Sequence, residues 1–326
     1  RLVGSEMCIR DSYVNRLRYM RYYDLYVRKT MTNIMEKQFY KQRKDFDLSC
    51  IERDKKLTMP EGVEYTENIV YTNDGNPSHQ LDIYRPKDRE GEVLPVIINV
   101  HGGGLIIGNK GFNKYFCSLL CKKGFLVYSI EYRLIPDCMI YDQFRDVFMA
   151  MDYISGCIRT DGGDESHVYM VGDSGGACLI MYTNAIQNNK KIAKAAGVKP
   201  SDLHINAIGF ISGMFYTTKF DKIGMFLPRY LYGKNYKKSA FGKYVNPDNK
   251  ELIESLAPVW LVTSHNDYLR KYTLNFEKAL AEAGKEYEFV DFPKDKRLTH
   301  AFSVFEPFLP ESKKTIDLLA GYLKKF

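Results

Sequence analysis

His167-Val168-Tyr169-Met170-Val171 runs directly into Gly172-Asp173-Ser174-Gly175-Gly176, and then into a long stretch ending near Asn188. The first five residues are β-branched, aromatic and apolar, the composition of a short buried strand. Residues 176–188 contain no breaker after the glycine and read as a helix. The turn between strand and helix is therefore very tight. A serine at its apex is forced into a strained backbone conformation, and side chains two positions away would collide, which explains glycine at 172 and 176. The Ser174 hydroxyl then stands clear of the strand, near the positive end of the following helix. Gly-x-Ser-x-Gly alone is a weak signal, but in this strand–turn–helix context it is the signature of a nucleophile elbow.

Outward from the elbow, apolar runs at 93–100, 125–131, 205–211, 259–263 and 287–291 alternate with helical stretches at 114–122, 141–158, 268–283 and 313–325. Continuous apolar strands alternating with helices predict a mostly parallel sheet covered on both faces, an α/β architecture. Upstream, residues 63–71 and 79–84 are β-type runs joined by the turn Asn73-Asp74-Gly75-Asn76-Pro77, which reads as a hairpin. Residues 214–246 interrupt the alternation and are crowded with Phe, Tyr, Met and Lys.

His101-Gly102-Gly103-Gly104 closes the run 93–100, about 70 residues before Ser174 and also at a strand end. Consecutive glycines expose backbone N–H groups without side-chain obstruction, as an oxyanion hole requires. A phosphate-binding nest is the competing use of such a loop. The chain has no Gly-x-Gly-x-x-Gly spacing here and no P-loop Lys-Ser/Thr pair.

A serine nucleophile needs a base and a group that orients the base. On α/β-hydrolase scaffolds the chain order is Ser, then Asp or Glu, then His. Three histidines follow Ser174: His204, His265 and His300. His204 precedes any suitable acid and His265 precedes Asp267. His300 comes after the last strand and fits the order. Asp267, just past the run 259–263, is the corresponding acid, with Asp291 and Asp295 as rivals.

Taken together, HGGG (101–104), EYRLIPD (131–137), GDSGG (172–176), APVWLVTSHNDYLR (257–270), AEAGKEYEFVDF (281–292) and THAF (299–302) resemble the hormone-sensitive-lipase-like esterases, over about residues 81–326. The resemblance implies an α/β-hydrolase fold with a helical cap. It implies a serine carboxylesterase that cleaves short- to medium-chain esters through an acyl-enzyme, with no cofactor. It also implies an oxyanion hole built from the N–H groups of Gly103, Gly104 and Gly175, and a cap built from N-terminal helices and an insertion. Those match the helical stretch 13–44, within a cap segment 13–60, and the insertion 214–246; residues 61–326 are then the catalytic domain. Three positions depart from the family's habit: Gly175 where Ala is common, EYRLIPD in place of DYRLAPE, and Leu105 where an aromatic residue often follows HGGG. All bear on substrate fit. An amide or formamide hydrolase or a peptidase would use the same triad. A ligand-binding pseudo-hydrolase would have lost a triad member, and none is lost.

The totals set outer bounds. The 326 residues carry a net charge of +7, concentrated in residues 1–60, where 14 Lys and Arg face 8 Asp and Glu. The remainder balances 33 against 32, so nucleic acid is not an expected partner. Leu17, Met20, Tyr23, Val27, Met31 and Ile34 recur at three- and four-residue steps, the apolar stripe of the helix expected over 13–44. Residues 1–12 fit no pattern that follows and read as a library-derived scar. No run of about 18 apolar residues appears, so no membrane-spanning helix is expected, and no secretory leader is evident. Seven scattered cysteines suit reduced thiols and a cytoplasmic setting. Cys117 and Cys121 lie one helical turn apart, but nothing completes a metal site around them. The expected partner is a small-molecule ester, and a homodimer stays open.

Overall fold

The structure is a computed structural model that describes residues 34–326, in two compact units that divide between Leu57 and Thr58. In the first, α1 spans Ile34–Asp54. The helix expected over 13–44 lies outside the described residues up to position 33. From Ile34 the chain is helical and continues past Lys44 to Asp54, because no Gly or Pro interrupts it before Pro60.

The second unit is built on one eight-stranded sheet: β1 (Val63–Val70), β2 (Gln80–Pro86), β3 (Leu94–Val100), β4 (Leu126–Ile130), β5 (Gly163–Asp173), β6 (Ala207–Ile211), β7 (Val259–Ser264) and β8 (Tyr287–Phe292). Spatial order is β1-β2-β4-β3-β5-β6-β7-β8. The β1–β2 and β2–β4 pairs are antiparallel and every later pair is parallel. Its helices are α2 (Lys114–Cys121), α3 (Ile140–Cys157), α4 (Gly175–Asn188), α5 (Lys190–Ala196), α6 (Lys222–Phe226), α7 (Pro228–Tyr232), α8 (Lys250–Glu254), α9 (Arg270–Glu282), α10 (Phe302–Phe305) and α11 (Pro310–Leu323).

Both faces of the sheet are covered, as two adjacent register pairs show. Gly172 and Phe210 are partners across β5 and β6. A Cβ on Gly172 would meet Ile180 of α4 at 2.8 Å, and the Phe210 ring lies 6.2 Å from Phe276 of α9. The neighbouring pair, Val171 and Gly209, points the other way. There Leu319 of α11 comes so close that a Cβ on Gly209 would sit 2.7 Å from it. Strands buried on both faces need apolar side chains throughout, and β4, β6 and β7 are fully buried.

Chain direction reverses at β3: the next strand, β4, lies toward β1, whereas β5 lies on β3's other flank. Such a switch opens a crevice beyond the carboxyl ends of the two strands. Both the Gly-rich loop and Ser174 emerge there. The insertion folds into α6, α7 and two 3₁₀ turns, Tyr236–Lys238 and Gly242–Tyr244. Asp221 starts α6 by accepting the N–H groups of Ile223 and Gly224. Five helices escaped the sequence reading, α5, α6, α7, α8 and α10. Asn189 caps α5, which Gly197 ends in the left-handed conformation, and Asn249 caps α8. Among the described residues no helix is long and apolar enough to cross a membrane.

Candidate active site

Ser174 sits between β5 and α4 with φ 49° and ψ −113°, the strained conformation the elbow requires. The segment after β6 holds it in place. Its N–H donates to the Ile211 carbonyl at 2.8 Å, and its carbonyl accepts the Met214 N–H at 2.9 Å. Ser212, between them, accepts the Ala301 N–H at 3.0 Å. One short segment thus straps the serine turn to the loop that carries His300.

His300 follows β8, and its Nδ1 donates to Asp267 Oδ1 at 2.8 Å. Asp267 Oδ1 also accepts the Leu269 N–H at 2.8 Å, and Oδ2 accepts the Thr263 hydroxyl at 3.1 Å. Burial alone would push the Asp267 carboxyl up. The bonds from His300, Ser212 and the Leu269 N–H outweigh it and hold the carboxyl below its ordinary value. Nε2 of His300 is buried and has no hydrogen-bond partner among the described residues, a ring nitrogen left open for a proton. The rival acids are engaged elsewhere: Asp291 pairs with Arg270 at 2.5 Å and Asp295 with Arg297 at 2.7 Å. His204 and His265 are exposed.

The Gly-rich loop is latched to the elbow. Asp173, next to the serine and buried, accepts the Gly102 N–H at 3.0 Å and an Asn113 amide N–H at 2.9 Å. Gly103 has φ 108°, a value only glycine holds without strain. Its carbonyl accepts the N–H groups of Ile106 and Ile107, closing a tight turn. Among the described residues neither Gly103 nor Gly104 donates its own N–H. A Cβ on Gly175 would lie 2.9 Å from the Gly104 nitrogen and 2.8 Å from that of Leu105, so the two loops meet backbone to backbone.

A second layer holds the loop's shape. His101 is buried and stacked on Tyr132 at 4.3 Å. Both of its ring nitrogens face acceptors, Glu131 Oε1 at 2.9 Å and the Gly102 carbonyl at 2.8 Å. Burial would lower its pKa, but Glu131, the Gly102 carbonyl and Asp173 together outweigh this and the net shift is upward. Glu131 also accepts the Lys110 N–H at 3.0 Å. Gln143 donates to the carbonyls of Leu105 and Arg133, and Arg133 forks onto buried Asp146. These supports escaped the sequence reading except as unassigned letters of EYRLIPD. So did Tyr268, whose ring lies 4.4 Å from that of His300 although the residue is 72% exposed.

The Gly175 geometry yields an expected result. Gly175→Ala places a methyl group against two backbone nitrogens that cannot swing aside. The Gly103–Gly104 N–H groups must shift, and turnover should fall by about 10²-fold, the scale of a lost oxyanion donor. Steady-state kinetics beside circular dichroism checks this; undiminished turnover would show that the loop yields freely.

Cys117 and Cys121 are buried thiols, with Cys121 pushed by burial up to about 12. Among the described residues no group of three or more His, Cys, Asp or Glu could hold a metal ion.

Comparison with known proteins places this geometry. A family described as the α/β hydrolase fold matches residues 97–303. A probable isoprenylcysteine α-carbonyl methylesterase of Arabidopsis thaliana is 29% identical over 212 residues, 62% of this chain and 44% of the relative. The chain spans less than half the length of the plant methylesterases it matches. Versiconal hemiacetal acetate esterase of Dothistroma septosporum is 25% identical over 280 residues, covering 80% of this chain and 82% of the relative. Among solved structures, esterase B of Lactobacillus rhamnosis, described with a tributyrin phosphonate, superposes with a TM-score of 0.84 at 22% identity, covering 91% of this chain and 96% of its own. The chain belongs to the α/β-hydrolase fold family, in its hormone-sensitive-lipase-like, carboxylesterase branch.

Proposed function

We propose that the protein is a serine carboxylesterase acting on short- to medium-chain carboxylic esters, with Ser174 as nucleophile, His300 as base and Asp267 as the group that orients it. One observation carries the reading. Asp267 fixes Nδ1 of His300 at 2.8 Å and leaves Nε2 unpaired, on a loop strapped through Ser212 to the serine turn.

The chemistry follows from that arrangement. Nε2 takes the Ser174 proton as Oγ attacks the ester carbonyl carbon. The carbonyl oxygen becomes an oxyanion and accepts the N–H groups of Gly103, Gly104 and Gly175. Collapse expels the alcohol, which receives the proton from His300 and leaves an acyl group on Ser174. Water then repeats the sequence, with His300 again as base, and releases the acid. The insertion 214–246 serves as a cap on this crevice, through the Met214–Ser174 bond and the buried Leu231, Tyr232 and Phe241. The methyl and acetyl esters named for two relatives motivate short acyl and alkoxy groups as first substrates.

The test is intact-mass analysis after treatment with a serine-directed organophosphate. A single adduct located on Ser174, with hydrolysis of a nitrophenyl butyrate abolished in parallel, is expected. Inactivation without an adduct at Ser174 would defeat the reading. An anilide assayed beside the ester separates esterase from amidase.

A further inference from the structure

The insertion holds seven basic residues against one acid, Asp221. That acid is committed, since it caps α6 and accepts the Tyr272 hydroxyl. Two of the bases are also committed. The Lys219 ammonium lies 3.5 Å from the centroid of the Tyr216 ring, and Lys243 pairs with Glu251 at 3.0 Å. Arg229, Lys234, Lys237 and Lys238 are exposed and enter no ion pair among the described residues. Just before them in the chain, Phe220 is 98% exposed, and Met225 and Phe226 are exposed as well. Each leaves apolar area in water that burial would remove. Three large apolar side chains within seven residues, next to four free cations, form an interfacial surface, not an ordinary wet one.

We propose that this face of the insertion docks on an anionic lipid bilayer. Phe220, Met225 and Phe226 enter the headgroup–acyl boundary, while Arg229, Lys234, Lys237 and Lys238 meet lipid phosphates. An acidic protein or nucleic acid would reward the bases and leave the apolar side chains in water. A second copy of the chain would set like charge against like. Docking does not depend on the esterase reading. Its consequence does: the same insertion is hydrogen-bonded to the Ser174 carbonyl through Met214, so esters dissolved in the bilayer would be presented close to the nucleophile.

The experiment is co-sedimentation of the full chain with vesicles of phosphatidylcholine alone and with added phosphatidylserine. Binding to the anionic vesicles only, suppressed by high salt, is expected. Two variants then locate it: Phe220→Ser with Phe226→Ser, and Lys234→Glu with Lys237→Glu and Lys238→Glu. Each should weaken binding at least about tenfold while circular dichroism and the thermal melt stay as in the wild type, which reports a folded protein. Failure of the wild type to bind overturns the proposal, as does binding that either variant retains, which would move the contact to the basic residues 1–60. A concentration-dependent dimer lost in the phenylalanine variant would assign the face to a second copy and equally overturn it. Vesicle binding and ester turnover are separate readouts, so each can fail alone.

Discussion

Ser174→Ala should give a folded protein whose ester turnover is lower by roughly 10⁴–10⁶-fold. The substitution keeps the Cβ, so the turn at φ 49° and its bonds to Ile211 and Met214 are undisturbed. What disappears is the only oxygen the His300 side chain would activate. Because nucleophile and base act as a unit, removing one forfeits nearly everything both supply, and the remainder is what the Gly103–Gly104 loop and binding give alone. Thermal melting should be close to wild type. A purified variant with even a tenth of wild-type turnover would remove Ser174 from the mechanism.

Asp267→Asn should cost on the order of 10⁴ in turnover. Oδ1 of the carboxylate accepts from both His300 and Leu269, and Oδ2 from Thr263. An amide has one acceptor oxygen. With its oxygen at the Oδ1 position the amide keeps the His300 and Leu269 bonds but lacks the charge that stabilises the imidazolium; turned over, its NH₂ faces Nδ1 and the imidazole must carry its proton on Nε2, where it cannot take one from serine. The same site has a pH signature. The Asp267 carboxyl is held below its unfolded value of about 3.9, so the ionised form contributes stability above that pH and loses it as pH falls through the lowered value. The amide variant should lack this part of the acid sensitivity. Asp291→Asn and Asp295→Asn, which only break exposed pairs with Arg270 and Arg297, should leave kcat within about twofold. Parallel kcat/KM measurements on the three variants decide the ranking.

Local features were legible in the sequence. The elbow could be read because strand, Gly-x-Ser-x-Gly and helix are contiguous, and the alternation of apolar runs and helices gave the sheet. Strand ends moved for tertiary reasons: β5 starts at Gly163, before the expected His167, because Leu94 and Pro95 of β3 pair with Gly163 and Asp164. The start of α9 moved from Tyr268 to Arg270 because Asp267 binds the Leu269 N–H and holds that turn out of the helix. The contacts that shape the oxyanion loop were hidden. Asp173 reaches Gly102 across 71 positions and Glu131 reaches His101 across 30, and no local pattern encodes a partner that distant. Chain order could nominate Asp267 over Asp291; only the fold shows Asp291 tied to Arg270.

The order of strands also divides the chemistry between two regions of the sheet. The proposed anion-receiving loop and the serine ride on β3 and β5, joined by the Asp173 latch. The pair proposed to handle the proton, Asp267 and His300, follows β7 and β8, fastened to the rest through Ser212 and Ala301. Loosening that fastening, as Ser212→Ala would while keeping the Cβ, separates two capacities that turnover always shows together. Such an enzyme would stop cycling yet still have a receptor for tetrahedral anions such as a boronate, held by amides alone.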